Sequence, residues 1–184
     1  WSYINRTGEV ENKYLVKKNT NTDAKGFVMP FCDSPLDHDN VGENIYVSMI
    51  SRAKRYIYMF TPYLILSTEL SHAMITAALS GVDVRIVVPA IPDKKYTPGF
   101  IHAKCFVSDD TTAIVGTCNL DFRSIYWNFE DFVYLYNSKT VLDVKNDALK
   151  TFEVSKEVTD AECINRHFIV RFMQSVLQLF APLL

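Results

Sequence analysis

The sequence is short of the features that mark several functional classes. Its four cysteines, Cys32, Cys105, Cys118 and Cys163, stand too far apart for a C-x-x-C metal knuckle or a dense disulfide framework. They read as reduced thiols. There is no basic excess: 19 Lys and Arg face 21 Asp and Glu, for a net charge of −2. That balance argues against a general nucleic-acid binder and leaves room only for a local basic groove. No apolar run reaches the roughly 18 to 20 residues of a membrane span. The nearest, Phe168 to Leu184, is broken by Arg171, Gln174, Ser175, Gln178 and Pro182. No signal-peptide pattern is read from Trp1 onward, and the 184 residues hold no internal repeat or low-complexity tract. The chain opens on Trp1-Ser2-Tyr3-Ile4 without an initiator Met, which leads to the expectation of a further part upstream.

What is present describes a folded domain. The 184 residues are 48% hydrophobic and 22% charged, enough to bury one core. Residues 1–25 are polar and read as a linker; the domain proper is expected over 26–184. Gly26 to Phe31 fits a strand that Pro30 pushes toward an edge. A helix carries Ile45, Met49, Ile50 and Ala53 inward, with Glu43, Asn44, Ser48 and Arg52 on its other side. Tyr56 to Phe60 is a strand. Ser67 N-caps a second helix, Glu69 suits its first turn, and Gly81 ends it before a strand over 82–88. Strand, helix, strand at this pitch predicts a right-handed βαβ unit.

The next joint is odd. Fifteen residues separate Val88 from Lys104, with Pro89, Pro92 and Pro98 among them. A parallel crossover needs a dozen or more residues, usually helical, and these prolines forbid the helix. Either the flanking strands are not crossover-linked, or a segment is missing. Beyond it, Ala103–Ser108 and Thr112–Val115 form two strands joined by Asp109-Asp110-Thr111. A helical turn over 119–126, a strand over 129–136 and helices over 141–158 and 166–180 complete the expectation.

One pattern carries chemistry: His102-x-Lys104, four residues, Asp109, six residues, Gly116-Thr117-x-Asn119. Extended residues two apart project to one side, so His102 and Lys104 share a cleft. An imidazole can attack phosphorus or pass a proton, and an ammonium can hold a non-bridging phosphate oxygen. Gly116 admits a ligand close to the backbone, and Thr117 and Asn119 add neutral donors. A carboxylate at Glu130, within an apolar strand, is costly unless paired. Cys105 and Cys118 read as packing residues. Arg123 reads equally as an ion-pair partner of Asp121, Glu130 or Asp131 and as a substrate contact.

This pattern resembles the signature of the phospholipase D superfamily. Asn119-Leu120-Asp121-Phe122-Arg123-Ser124, Asn128-Phe129-Glu130, Thr61-Pro62-Tyr63 and the ending Arg171-Phe172 through Leu184 are similar to the bacterial cardiolipin synthase family. The resemblance implies an α/β fold, a phospholipase D-like mixed sheet flanked by helices, as one of two homologous halves. It implies a phosphatidyl transferase that makes cardiolipin from two phosphatidylglycerol molecules through a phosphohistidine. His102, Lys104 and Asp109 would be its catalytic motif, with Asp109 tying down a turn; Lys104, Thr117 and Asn119 would bind phosphate, and Glu130 would hold the imidazole. No metal or other cofactor is implied. Implied partners are a phospholipid, a membrane surface at the cytoplasmic side, and either an upstream half or a second copy, with no nucleic acid. Two departures stand out: one motif instead of two, and about thirty residues fewer near residue 96, the size of a βα repeat. A homodimeric phosphodiesterase nuclease and a non-catalytic half-domain are the rival readings.

Overall fold

In the computed structural model, the described residues are 25–37, 39–89 and 101–159. The linker over 1–24, His38, the joint over 90–100 and the helix expected over 166–180 lie outside them. Six strands form one sheet: β1 (Phe27–Asp33), β2 (Tyr56–Phe60), β3 (Asp83–Val87), β4 (Cys105–Ser108), β5 (Thr112–Gly116) and β6 (Glu130–Tyr136). Among the described residues four helices accompany it: α1 (Val41–Arg52), α2 (Thr68–Leu79), α3 (Phe122–Tyr126) and α4 (Lys139–Glu153). The strand order is β1-β6-β5-β4-β2-β3. Only β2 and β3 pair in parallel; every other pair is antiparallel.

Alternation in the strands sorts the core into two layers. Ile57, Met59, Phe106, Ile114 and Phe132 pack with Tyr46, Met49 and Ile50 of α1 and Leu70, Met74 and Ala77 of α2. Tyr56, Tyr58, Phe60, Val107, Ala113 and Leu135 form the second layer, covered by Val141 and Ala148 of α4. The result is the mixed sheet flanked by helices that the sequence resemblance implied.

Local signals act as expected at several points. Ser67 accepts from Leu70 N at 3.2 Å, capping α2. At the other end Gly81 takes φ +87°, while Val82 N bonds Ala77 O and Gly81 N bonds Ala78 O, a Schellman stop. Pro30 lies in the edge strand β1, where a missing donor is tolerated. Asp109 and Asp110, at φ +54° and +62°, make the reverse turn between β4 and β5, closed by Thr111 N on Ser108 O at 3.1 Å.

Two expectations need correcting, and an open alternative is decided. The strand expected from Ala103 begins at Cys105, so His102 and Lys104 sit on the extended segment that feeds it. The helix expected over 141–158 is Lys139–Glu153: Ser138 caps it on Thr140 N, and Val154 and Val158 are exposed despite their helical spacing. The joint after β3 resolves topologically. β2 is parallel to β3 and antiparallel to β4, so β3 ends and β4 begins at the same end of the sheet. The connection has to pass only β2, about 10 Å at two strand spacings, and no helical crossover is required.

Candidate active site

Strand directions decide where the motif gathers. Asp33 pairs with Glu130, Gly116 with Phe132, Cys105 with Val115, and Phe60 with both Cys105 and Val87. One end of the sheet therefore collects the start of β4 and β6 and the finish of β1, β2, β3 and β5. His102, Lys104, Gly116, Thr117, Asn119 and Glu130 all belong to this end.

The centre is a contact between His102 and Lys104. The Lys104 ammonium stands 3.0 Å from both His102 Nδ1 and Nε2, and 3.0 Å from the His102 carbonyl oxygen, to which it donates. A point equidistant from both ring nitrogens cannot lie in the ring plane without striking Cε1. The ammonium thus sits over the imidazole face, and the ring's in-plane lone pair and N–H are directed elsewhere. His102 is exposed while Lys104 is buried. Burial pushes the Lys104 ammonium below its ordinary pKa, and the Glu130 and Asp121 carboxylates pull it part of the way back. Gly116 N donates to Lys104 O at 3.0 Å, fixing the lysine backbone to the glycine of the motif.

A side chain at position 116 would not fit. A Cβ there would stand 2.7 Å from Asp131 O and 3.0 Å from Phe132 Cδ1. Thr117 then donates its hydroxyl to Glu130 and accepts from Asp131 N at 3.0 Å. Glu130, buried, accepts also from Asn128 Nδ2 at 3.2 Å. These two donors answer the cost of a carboxylate in an apolar strand. Asn119 donates Nδ2–H to Ser124 Oγ at 2.9 Å, while its Oδ1 is buried without a hydrogen-bond partner.

Asp109 is the member that the fold removes from the cluster. It follows β4, at the opposite end, about 17 Å from Lys104 by the rise of a strand. Its carboxylate accepts from Lys54 N at 2.7 Å, Arg55 N at 2.9 Å and Tyr56 N at 3.1 Å. It fastens the α1–β2 connection to the β4–β5 turn, away from the His102–Lys104 pair. Arg123 is exposed and takes part in none of the ion pairs among the described residues.

Some supporting residues escaped the sequence reading. Glu43, read as lying on the outer side of α1, is buried. Its carboxylate accepts from Ser67 Oγ at 2.5 Å and Tyr126 Oη at 2.8 Å, joining the starts of α1 and α2 to α3. Burial raises the Tyr126 phenol pKa, and Glu43 raises it further. Thr61, fully buried, donates to Tyr63 O at 2.6 Å and accepts from Leu120 N at 3.0 Å. It clips the loop after β2 to the loop that holds Asn119. Ser67 had its capping signal and Thr61 its place in the Thr61-Pro62-Tyr63 run, while Glu43 and Tyr126 had none.

The family model for the cardiolipin synthase, phospholipase D-like domain matches residues 46–98 and 90–152, which span the βαβ unit and the whole motif. The chain belongs to this family. The match comes in two pieces that meet at 90–98, where the joint lies. An uncharacterised protein of Streptococcus mutans serotype c is 40% identical over 206 residues, covering 100% of this chain and 44% of its own. A cardiolipin synthase of Halalkalibacterium halodurans is 32% identical over 206 residues, with 99% of this chain and 41% of its own covered. The matched stretches exceed the 184 residues of the chain, so these relatives carry residues that it lacks. The chain spans less than half the length of these curated relatives.

Solved structures share the phospholipase D fold. A phospholipase D family member, Nuc from Salmonella typhimurium, superposes with a TM-score of 0.62 at 18% identity, covering 74% of this chain and 100% of its own. Phosphatidylserine synthase from Haemophilus influenzae superposes with a TM-score of 0.65 at 14% identity, covering 85% of this chain and 48% of its own. The same fold unit therefore stands as a whole chain in one protein and as about half of another.

Proposed function

We propose that this domain is one catalytic half of a phosphatidyl transferase that joins two phosphatidylglycerol molecules into cardiolipin. The observation that carries the reading is the Lys104 ammonium held over the His102 ring, within the motif matched by the cardiolipin synthase model. In this reading an upstream half supplies a second His and Lys. The upstream imidazole attacks phosphorus, forming an N–P bond as the P–O bond to glycerol breaks, and His102 gives the departing alkoxide its proton. A hydroxyl of the second phosphatidylglycerol then gives its proton to His102 and attacks phosphorus, so that an O–P bond forms and the N–P bond breaks. Lys104 balances the charge on the non-bridging oxygens through both steps. Thr117 and Asn119 would line the phosphate pocket, Glu130 would set the electrostatics around Lys104, and Asp109 would keep the turn.

The test is product analysis with the two-motif protein on phosphatidylglycerol vesicles. Cardiolipin and free glycerol in equal amounts support the transferase. Phosphatidic acid as the main product would make it a hydrolase. Salt-sensitive cleavage of DNA without lipid turnover would favour the nuclease reading instead.

A further inference from the structure

Glu130 opens β6 as a buried carboxylate, and each of its two oxygens has a donor. Thr117 gives its hydroxyl proton to Oε2, and Asn128 gives Nδ2–H to Oε1 at 3.2 Å. Both donors are neutral, so they fix the carboxylate without cancelling its charge. Asp110 is the contrast, since Lys145 and Arg55 pair with it directly. The Glu130 charge is left to act on its surroundings, and with Asp121 it supports the buried Lys104 ammonium against desolvation.

The backbone places Thr117 for this task. Gly116 N donates to Lys104 O at 3.0 Å and Thr117 N to Asp131 O at 3.0 Å, so Gly116-Thr117 joins the lysine to the start of β6. Asp131 N donates in turn to Thr117 Oγ1 at 3.0 Å. A threonine hydroxyl has one proton and two lone pairs. The Asp131 amide takes a lone pair, and Glu130, which only accepts, takes the proton. Turning that proton toward a phosphate oxygen would leave the hydroxyl oxygen facing a buried carboxylate with no hydrogen between them, a costly contact. Thr117 is exposed and lines the pocket, but its one donor is already in use.

We infer that Thr117 and Asn128 are positioning residues, which serve the reaction by holding the Glu130 charge in place for Lys104 and not by contacting the substrate phosphate. This rests on the role given to Lys104 in the reading above. Among the described residues, the groups that act on Lys104 are His102, Glu130 and Asp121. Asp121 is engaged as the cap of α3, so a change at Thr117 reaches Lys104 through Glu130.

The test is a double-mutant cycle in the two-motif protein turning over phosphatidylglycerol vesicles. Thr117→Val should lower kcat about tenfold and leave KM within about twofold of the parent. The alkaline limb of its kcat profile should move to lower pH, because Lys104 loses its proton more readily once Glu130 is unmoored. Thr117→Ser keeps the hydroxyl and should restore both. Glu130→Gln should show the same shift of the limb, and adding Thr117→Val to it should cost less than about twofold more, since two changes that act through one group are not additive. If circular dichroism shows Thr117→Val misfolded, Asn128→Ala carries the same cycle through Oε1. Losses that multiply in the double variant, an alkaline limb that stays in place, or a raised KM with weaker inhibition by inorganic phosphate at unchanged kcat would each overturn the inference. A shared loss and a shifted limb with phosphatidic acid as the product would instead refute the assigned transfer and leave the inference standing. Cardiolipin formation with multiplying losses would do the reverse.

Discussion

Asn119 Nδ2 is hydrogen-bonded to Ser124 Oγ at 2.9 Å, and this bond joins the last residue of the motif to helix α3. The helix is in turn capped by Asp121, whose carboxylate accepts from Ser124 N at 2.7 Å, and anchored by Tyr126 on Glu43. The Asn119 amide is thus oriented by a buried chain that runs back to α1.

That chain predicts a graded response. Ser124→Ala removes the acceptor and leaves Asn119 Nδ2 unpaired, a cost of about 1–3 kcal/mol. Turnover of the two-motif protein should fall about tenfold through a looser amide, with the thermal midpoint lowered by a few degrees. Asn119→Ala should fall further in turnover and lose less stability, because it also removes the orphaned Oδ1. Steady-state kinetics beside calorimetry separates the two effects.

Asp109 should behave as a structural residue. Asp109→Ala leaves the Lys54, Arg55 and Tyr56 N–H groups to solvent and places Ala at φ +54°. Two of these bonds are exposed, so water replaces part of the loss, and a destabilisation of about 1–3 kcal/mol is expected. Asp109→Asn, which keeps an acceptor and tolerates that backbone, should recover part of it. Both variants should turn over substrate normally below their melting temperature. A loss of kcat with an unchanged urea midpoint would place Asp109 in the chemistry after all.

Gly116→Ala should damage fold and site together. The new methyl meets Asp131 O at 2.7 Å and the Phe132 ring at 3.0 Å, and the backbone of β6 cannot yield as a flexible side chain would. A loss of about 1–3 kcal/mol in urea unfolding is expected, with reduced turnover at temperatures where the variant is folded.

Acid should weaken the fold through the Asp110 cluster. Hydrogen bonds from Lys145 at 2.5 Å and Arg55 at 2.6 Å, together with Tyr56, hold the Asp110 carboxyl at about 2 against its ordinary 3.8. A carboxyl lowered in the folded state stabilises fully above its unfolded pKa and loses that contribution as pH falls. The urea midpoint should therefore drop between pH 4 and 2, and Asp110→Asn should flatten this part of the profile. Added salt should shrink the effect, since the pairs are partly solvated.

Most of the fold was legible because local signals agree with one another. The Ser67 cap, the Gly81 stop and the apolar run Tyr56 to Phe60 each specify their element without tertiary help. The motif was legible through spacing, since His102 and Lys104 need only extended backbone to meet. What escaped depended on pairing. The place of Asp109 in the turn was legible, but the Lys54, Arg55 and Tyr56 amides that it binds, more than fifty residues away, were not. Glu43 reads as a solvent-facing carboxylate until Ser67 and Tyr126, 24 and 83 residues away, bring their hydroxyls to it. The strand start at Cys105 and the end of α4 at Glu153 were set by which neighbours were available to pair with or pack against.

The most direct test of the account is turnover of phosphatidylglycerol by the two-motif protein carrying His102→Ala or Lys104→Ala, each with its fold verified by circular dichroism. In the proposed reading the first removes the proton donor and the second the cation over the imidazole face. Each variant should lose about three orders of magnitude or more in rate, with no rescue by Mg²⁺ or Zn²⁺ and no sensitivity of the parent protein to chelators. Near-normal cardiolipin formation in either variant would contradict the assignment of this site.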